Sequence, residues 1–298
     1  MNSLDDILKQ AQNAPPCRPV VAGAAHHSTL DALASARRRT LVEQPVLVGD
    51  EDSILEQLEL RDERSGDYRI VSPAGDNPAS RAVELIADGA GDVLLKGGIA
   101  TSDLLRAVLT GLDTHRRLSD VLVTEYVSNG GPRLIGVADG GVNVAPDIEA
   151  KRQIIENSVH VFRQLGFDTP RVALLCAVEK MIDSMPHTVQ ASQLAERMRA
   201  YDNCIVDGPL ALDNALSEQA AKAKGIDSPV AGHADILVAP TVEAGNILGK
   251  AFQYLAGRRV AHLIGGASVP ILIPSRTEDP ADRVRSLALA VHCTEPRR

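Results

Sequence analysis

Short apolar runs alternate with helical patterns along almost the whole chain, and no other feature restricts its fold so strongly. Pro19-Val20-Val21-Ala22-Gly23 precedes a helical pattern from Thr29 to Arg39, and Val46-Leu47-Val48-Gly49 precedes Ile54, Leu55 and Leu58. Arg69-Ile70-Val71 precedes a helix-like stretch from Pro78 to Ala87. Two further strand-like runs, around Val121 and from Arg133 to Ala138, lead to a long helix introduced near Pro146, with Asp147 and Glu149 in its first turn. The second half repeats the alternation, with strands expected at 171–178, 204–207, 234–239 and 260–264 and helices at 188–200, 211–223 and 242–256. Such alternation predicts an α/β fold with mainly parallel sheets and helices on their faces. We place two α/β domains on it: residues 1–138 together with 264–298, and residues 139–263.

A length of 298 residues accommodates two such cores. The longest apolar runs, such as Val172 to Val178, are of strand length and too short to span a bilayer. Trp is absent and only 3 Phe and 4 Tyr occur, so the core is built from Leu, Ile, Val and Ala, and base-stacking platforms are disfavoured. A net charge of −8 disfavours a general nucleic-acid or anionic-membrane binder while leaving room for a local cationic pocket. Cys17, Cys176, Cys204 and Cys293 are far apart and form no C-x-x-C pair, which reads as reduced thiols of a cytoplasmic protein. The stretch from Met1 to Gln10 has adjacent acids and no long apolar run, so no signal peptide is expected there.

Chemistry-bearing residues concentrate near the end of the chain. Ile271-Leu272-Ile273-Pro274 reads as a buried strand, Asp279 as a helix N-cap and Pro280 as the first helical residue. Val284, Leu287, Ala288 and Val291 then share one helical face. Ser275 and Arg276 thus fall where a strand ends, and Asp282 in the first turn of the following helix. In open α/β sheets, ligands bind at the carboxyl ends of strands. By spacing alone, a turn serine, a solvated arginine and an aspartate serving the helix dipole explain the pattern more simply than a site does.

A second such connection is Leu94-Leu95-Lys96-Gly97-Gly98-Ile99-Ala100-Thr101-Ser102. Its strand ends at Lys96, the glycines permit close backbone approach, and Thr101 or Ser102 is expected to cap the next helix. The helix N-terminus favours an anion, with Lys96 and Arg106 adding charge, although the glycines equally suit a plain turn. Arg37-Arg38-Arg39 reads as a phosphate grip or, more simply, a solvated helix end. Gly245 to Ala251 resembles a phosphate loop but is one residue short and has Ala251 in place of the magnesium-binding hydroxyl. No G-x-G-x-x-G opens a helix, and His26-His27, His233 and His262 have no zinc-ligand spacing, so neither a dinucleotide cofactor nor a metal is expected.

The order of these motifs resembles the phosphate acetyl/butyryl transferase family across essentially the whole chain. The residues that carry the resemblance are Lys96-Gly97 with Thr101-Ser102-Asp103, Ala138-Asp139 with Asn143 and Pro146, and Ala177-Val178-Glu179 with Met185-Pro186. Asp207 to Ala215, Glu243-Ala244-Gly245-Asn246, and Ser275-Arg276 with Asp282 complete the set, the Asp207 stretch being closest to the butyryl branch. The resemblance implies an isocitrate/isopropylmalate dehydrogenase-like fold with the active cleft between its two domains, and a homodimer. It implies reversible acyl transfer between coenzyme A and inorganic phosphate by direct attack in a ternary complex, with both as substrates and with neither metal nor cofactor. Carried onto this sequence, Asp282 is the base for the coenzyme A thiol, Ser275 positions the sulfur, and Arg276 binds phosphate and the oxyanion. Arg106, Lys96 and Thr101 are substrate contacts.

Two other readings compete. An isopropylmalate-type dehydrogenase needs several metal-binding aspartates, and Asp235-Ile236-Leu237 is followed by Val238-Ala239 where a second acid is required. A non-catalytic ligand-binding domain on the same fold is opposed by Ser275, Arg276 and Asp282 all being present.

Overall fold

The computed structural model describes residues 1–73, 75, 77–128, 131–275 and 277–294. Packing divides the chain into two compact units, a terminal unit of Asp5–His115 and Ala261–Arg298 and a central unit of Met1–Leu4 and Arg116–Val260. The sequence reading divides the chain at 138/139 and 263/264. The first division in the structure falls earlier because the strands expected around Val121 and Arg133 pair with each other and then with a strand of the second half.

In the terminal unit, β1 (Pro19–Ala22), β2 (Val46–Val48), β3 (Arg69–Val71), β4 (Val93–Lys96) and β11 (Ile271–Leu272) are parallel, in the order β3-β2-β1-β4-β11. One antiparallel strand, β10 (Val260–Ala267), joins β11 through Ile264 and Ile271. Strands β1, β2 and β4 read Val-Val, Val-Leu-Val and Val-Leu-Leu and are buried nearly throughout, as strands covered on both faces must be. Their cover comes from α2 (His27–Arg38), α3 (Glu51–Glu59), α4 (Pro78–Ala87), α5 (Thr101–Gly111) and α11 (Pro280–Cys293), with a short α1 (Leu4–Ala11) preceding them. The α11 face bearing Leu287, Ala288 and Val291 is buried, and α11 packs on α2, whose Leu30 and Leu33 are equally buried. Each buried Leu or Val side chain here contributes roughly 1.5–3 kcal/mol by leaving water.

In the central unit, β5 (Thr114–Ser128) and β6 (Gly131–Ala138) form an antiparallel hairpin. The parallel strands β9 (Ile236–Val238), β7 (Arg171–Leu175) and β8 (Ile205–Leu210) follow β6 in that spatial order. The long helix α6 (Ile148–Gln164) is capped by Asp147, which accepts from the Ala150 N–H, and it drives Phe162 into the core. The remaining helices are α7 (Pro186–Met198), α8 (Leu212–Leu216), α9 (Glu218–Ala223) and α10 (Val242–Lys250), the last running into a π-helical turn at Ala251–Leu255. The single helix expected over 211–223 is two, because Ser217 ends α8 and its side chain caps α9.

Among the described residues no helix is long and apolar enough to cross a membrane, and all four cysteines are free thiols.

Candidate active site

The carboxyl ends of β1, β4 and β11 bring three connections of the terminal unit together. Gly97 N–H donates to Ala22 O at 2.9 Å and Gly98 N–H to Gly23 O at 2.7 Å, so the two loops share backbone hydrogen bonds. A Cβ on Gly97 would lie 2.1 Å from Gly23 O, and Gly23 itself has φ +74°. The paired glycines therefore serve loop-to-loop contact. This approach sets His26, at the start of α2, against Gly98.

Lys96 is half-buried, and its ammonium donates to Gly97 O at 3.3 Å. Thr101 is exposed at the first helical position of α5, and the N-cap is Ala100, which offers no side-chain acceptor. The expectation that Thr101 or Ser102 caps this helix is thus corrected: the chain turns helical one residue sooner. Arg106 projects from α5 with its side chain 75% exposed and lies 3.6 Å from Asp103, as an i,i+3 pair. Arg276 lies outside the described residues.

Ser275 follows β11. Its N–H donates to Glu278 Oε2 at 2.9 Å, and its carbonyl accepts from Arg283 Nη2 at 2.8 Å. The Ser275 hydroxyl lies 3.4 Å from Thr277 Oγ1. Asp279 caps α11 through the Ala281 N–H at 2.7 Å and Pro280 opens the helix, as the sequence predicts. Asp282 is buried in that first turn, and its Oδ1 accepts from Arg285 Nη1 at 2.5 Å. Ser275 is thus joined to Thr277, Glu278 and Arg283, and Asp282 to Arg285.

Electrostatically this edge sets cationic groups around the buried Glu278. Burial first, then the neighbouring His27, Arg283 and Lys96, lower the His26 pKa, so its imidazole is neutral at physiological pH. Its Nδ1 is 3.1 Å from Thr29 Oγ1. Burial alone would raise the Glu278 carboxyl. The hydrogen bond and charge of His262, the Ser275 N–H and the Arg283 guanidinium outweigh it and hold that carboxyl below its ordinary value. An edge with Lys96 and Arg283 beside a neutral imidazole is suited to receive a multiply charged anion.

Sequence reasoning passes over Glu278, Arg283 and His26. Glu278 and His262 are sixteen residues apart and meet only through folding. Two residues of the triple arginine are engaged in ion pairs: Arg37 pairs with Glu63 and Asp67, and Arg38 with Glu63.

In the central unit, residues of the shared motifs hydrogen-bond within and between loops. Asp139 accepts from the N–H groups of Gly141, Val142 and Asn143 at 2.8–3.0 Å and from Asn143 Nδ2 at 2.5 Å. Burial and the Asp120 carboxylate push its pKa up against those donors. Gly245 admits the Asp139 carbonyl, which a Cβ would meet at 2.3 Å, and Asn246 Nδ2 donates to Gly140 O at 3.0 Å. Glu179 accepts from Asn214 and Lys224, and Lys224 also pairs with Asp213. Among the described residues no group of three or more His, Cys, Asp or Glu side chains is arranged to hold a metal ion.

Fold and site together define an α/β protein with cationic side chains at the strand ends of its terminal unit. The family profile described as "Phosphate acetyl/butaryl transferase" matches residues 9–291, and the chain belongs to that family of acyltransferase enzymes. It is 37% identical over 293 residues to a phosphate acetyltransferase of Rhizobium meliloti, covering 96% of this chain and 92% of that one. It is 36% identical over 294 residues to a phosphate butyryltransferase of Clostridium beijerinckii, covering 97% and 96%. The crystal structure of a branched-chain phosphotransacylase from Enterococcus faecalis V583 superposes with a TM-score of 0.82 at 29% identity, covering 92% of this chain and 98% of that one.

Proposed function

We propose that this chain catalyses reversible transfer of a short acyl group, acetyl or butyryl, between coenzyme A and inorganic phosphate. The observation that carries the reading is the Ser275 turn held by Arg283, whose charge acts on His26 together with that of Lys96, in a chain matched to the family over nearly its whole length. In the direction of acyl-CoA synthesis, Asp282 takes the thiol proton as the sulfur attacks the carbonyl carbon of acyl phosphate. The tetrahedral oxyanion collapses, the C–O bond to phosphate breaks, and phosphate leaves. A thiol with a pKa near the ~8.5 of cysteine is mostly protonated at neutral pH, so a positioned carboxylate accelerates attack. Ser275 orients the sulfur, and Arg276 binds phosphate and meets the developing oxyanion with a bidentate fork. Lys96, Thr101 and Arg106 contribute anion contacts.

The proposal includes an isocitrate/isopropylmalate dehydrogenase-like architecture, supported by the mostly parallel sheets, and a metal-free ternary-complex route requiring no cofactor. It includes a homodimer, supported by the exposed apolar side chains of Ile247, Tyr254 and Leu255, and a cytoplasmic location, supported by the free thiols. Nucleic acid and membrane are not among its partners in this reading.

A coupled assay of acetyl-, propionyl- and butyryl-CoA with phosphate, following free thiol in excess chelator, tests the reaction and the chain length together. The butyryl-like stretch from Asp207 to Ala215 predicts three- or four-carbon acyl groups ahead of acetyl. One methylene in an apolar pocket is worth about 1–3 kcal/mol, so the preference is ten-fold or more. Highest catalytic efficiency with acetyl-CoA rejects the preference, and activity that requires a divalent ion rejects the metal-free route.

A further inference from the structure

The peptide of Ser275 is gripped at both ends by buried side chains that the reaction itself does not use. Glu278, its carboxylate 3% exposed, receives the Ser275 N–H on Oε2 at 2.9 Å. The same oxygen accepts from His262 Nε2 at 3.0 Å. Arg283, also buried, donates from Nη2 to the Ser275 carbonyl at 2.8 Å, and the Glu278 N–H reaches that carbonyl at 3.2 Å. His262 is itself anchored, since its backbone N–H donates to Ser286 Oγ on α11 at 3.0 Å. Glu278 Oε1 and Arg283 Nε make no hydrogen bond with the described residues. Both side chains line one small cavity with Thr29, His262 and Ser286. Placing an acid and a guanidinium this deep carries a desolvation penalty that an apolar pair would avoid. What the acid and the guanidinium secure is the direction in which the Ser275 hydroxyl leaves the end of β11.

We propose that Glu278 is the positioning residue for Ser275, with Arg283 fastening the carbonyl and His262 fixing the Glu278 carboxylate. The proposal rests on the functional reading of Ser275 given above. It assigns Glu278 no contact with substrate and no proton transfer. Its effect is geometric, and a misplacement of about 1 Å at a reacting group can cost on the order of 10²-fold in rate.

Two conservative variants separate geometry from charge. Glu278→Gln keeps the reach and gives up the charge: an amide oxygen in the place of Oε2 can still accept from both Ser275 N–H and His262 Nε2–H. Glu278→Asp keeps the charge but is shorter by one C–C bond, about 1.5 Å, so one carboxylate can no longer serve both Ser275 N–H and His262. Turnover and KM for acyl-CoA and phosphate are measured per folded molecule, alongside hydrogen exchange of the Ser275 amide. The expected result is a Gln variant within about threefold of wild-type kcat. The Asp variant should lose about 10–100-fold in kcat at little-changed KM, with faster Ser275 exchange. Wild-type turnover in a folded Asp variant, or a Gln variant worse than Asp, overturns the proposal. A wild-type protein that forms no acyl phosphate overturns the functional reading instead. Slow Ser275 exchange in the Asp variant then overturns the positioning role independently of activity.

Discussion

Asp282 and Glu278 are four residues apart across the start of α11, and different cations hold them. Asp282 pairs with Arg285, whereas Glu278 is shared between His262 and the Ser275 N–H. The Glu278 carboxyl titrates below its reference of 4.5 in the folded protein. An acid with a depressed folded pKa contributes stability that is present above the unfolded value and is lost as pH falls through the folded one. Glu278→Gln should therefore be less stable than wild type at pH 7, by about 1.5–3 kcal/mol for a hydrogen bond to a charged group. That deficit should shrink as urea denaturation is repeated below pH 4.5, and a deficit constant down to pH 3 contradicts the assigned charge state. For Asp282, the base role predicts that Asp282→Asn loses about 10²–10⁴ in acyl-CoA synthesis at neutral pH, recovering toward the thiol pKa. A ratio of wild-type to variant rate that is flat from about pH 6.5 to 9.5 removes that role, leaving the pairing with Arg285. Ser275 and Asp282 were legible in the sequence because a strand–turn–helix pattern fixes their positions locally. Glu278 was in plain view in the same stretch, but its partner His262 lies on another strand, and nothing in local spacing announces the pair.

At the scale of elements, the loops after β1 and β4 are one structure. Gly97 N–H and Gly98 N–H complete the hydrogen bonding of the β1 loop, and Gly97 leaves no room for a side chain. Gly97→Ala drives a methyl against a carbonyl oxygen, and overpacking of this kind typically costs about 1–3 kcal/mol. Urea denaturation should show that loss together with reduced turnover, because Lys96 and His26 move with the loops. An Ala variant as stable as wild type refutes the close packing. Local signals served the elements well where caps are strong. The helix at Pro78–Ala87 has the predicted limits because Asn77 caps it and Pro78 opens it. They served poorly where a weak propensity competes with tertiary contact. Thr101 looks like a cap but is already helical, and Ser217 breaks an apolar pattern that reads as one continuous helix. The antiparallel pairing of β5 with β6 is a long-range choice, and the alternation of strand and helix signals says nothing about it.

For the whole molecule, the mostly parallel α/β class follows from the alternation of the sequence, and family membership rests on the match over residues 9–291. The unit boundaries were less legible, since they depend on which neighbour β5 and β6 choose. The family motifs divide by role along the chain. Asp139, Asn143, Glu179, Asn214 and Gly245 knit the loops of the central unit, whereas Lys96 and Ser275 stand at the cationic edge of the terminal one. Acyl transfer to phosphate is tested most directly with the purified protein incubated with butyryl-CoA, with and without inorganic phosphate, in excess chelator. Free thiol and acyl phosphate are measured in the same samples. The expected result is thiol release that depends on phosphate and is matched one for one by acyl phosphate. Release that is independent of phosphate, or thiol appearing without acyl phosphate, would contradict it.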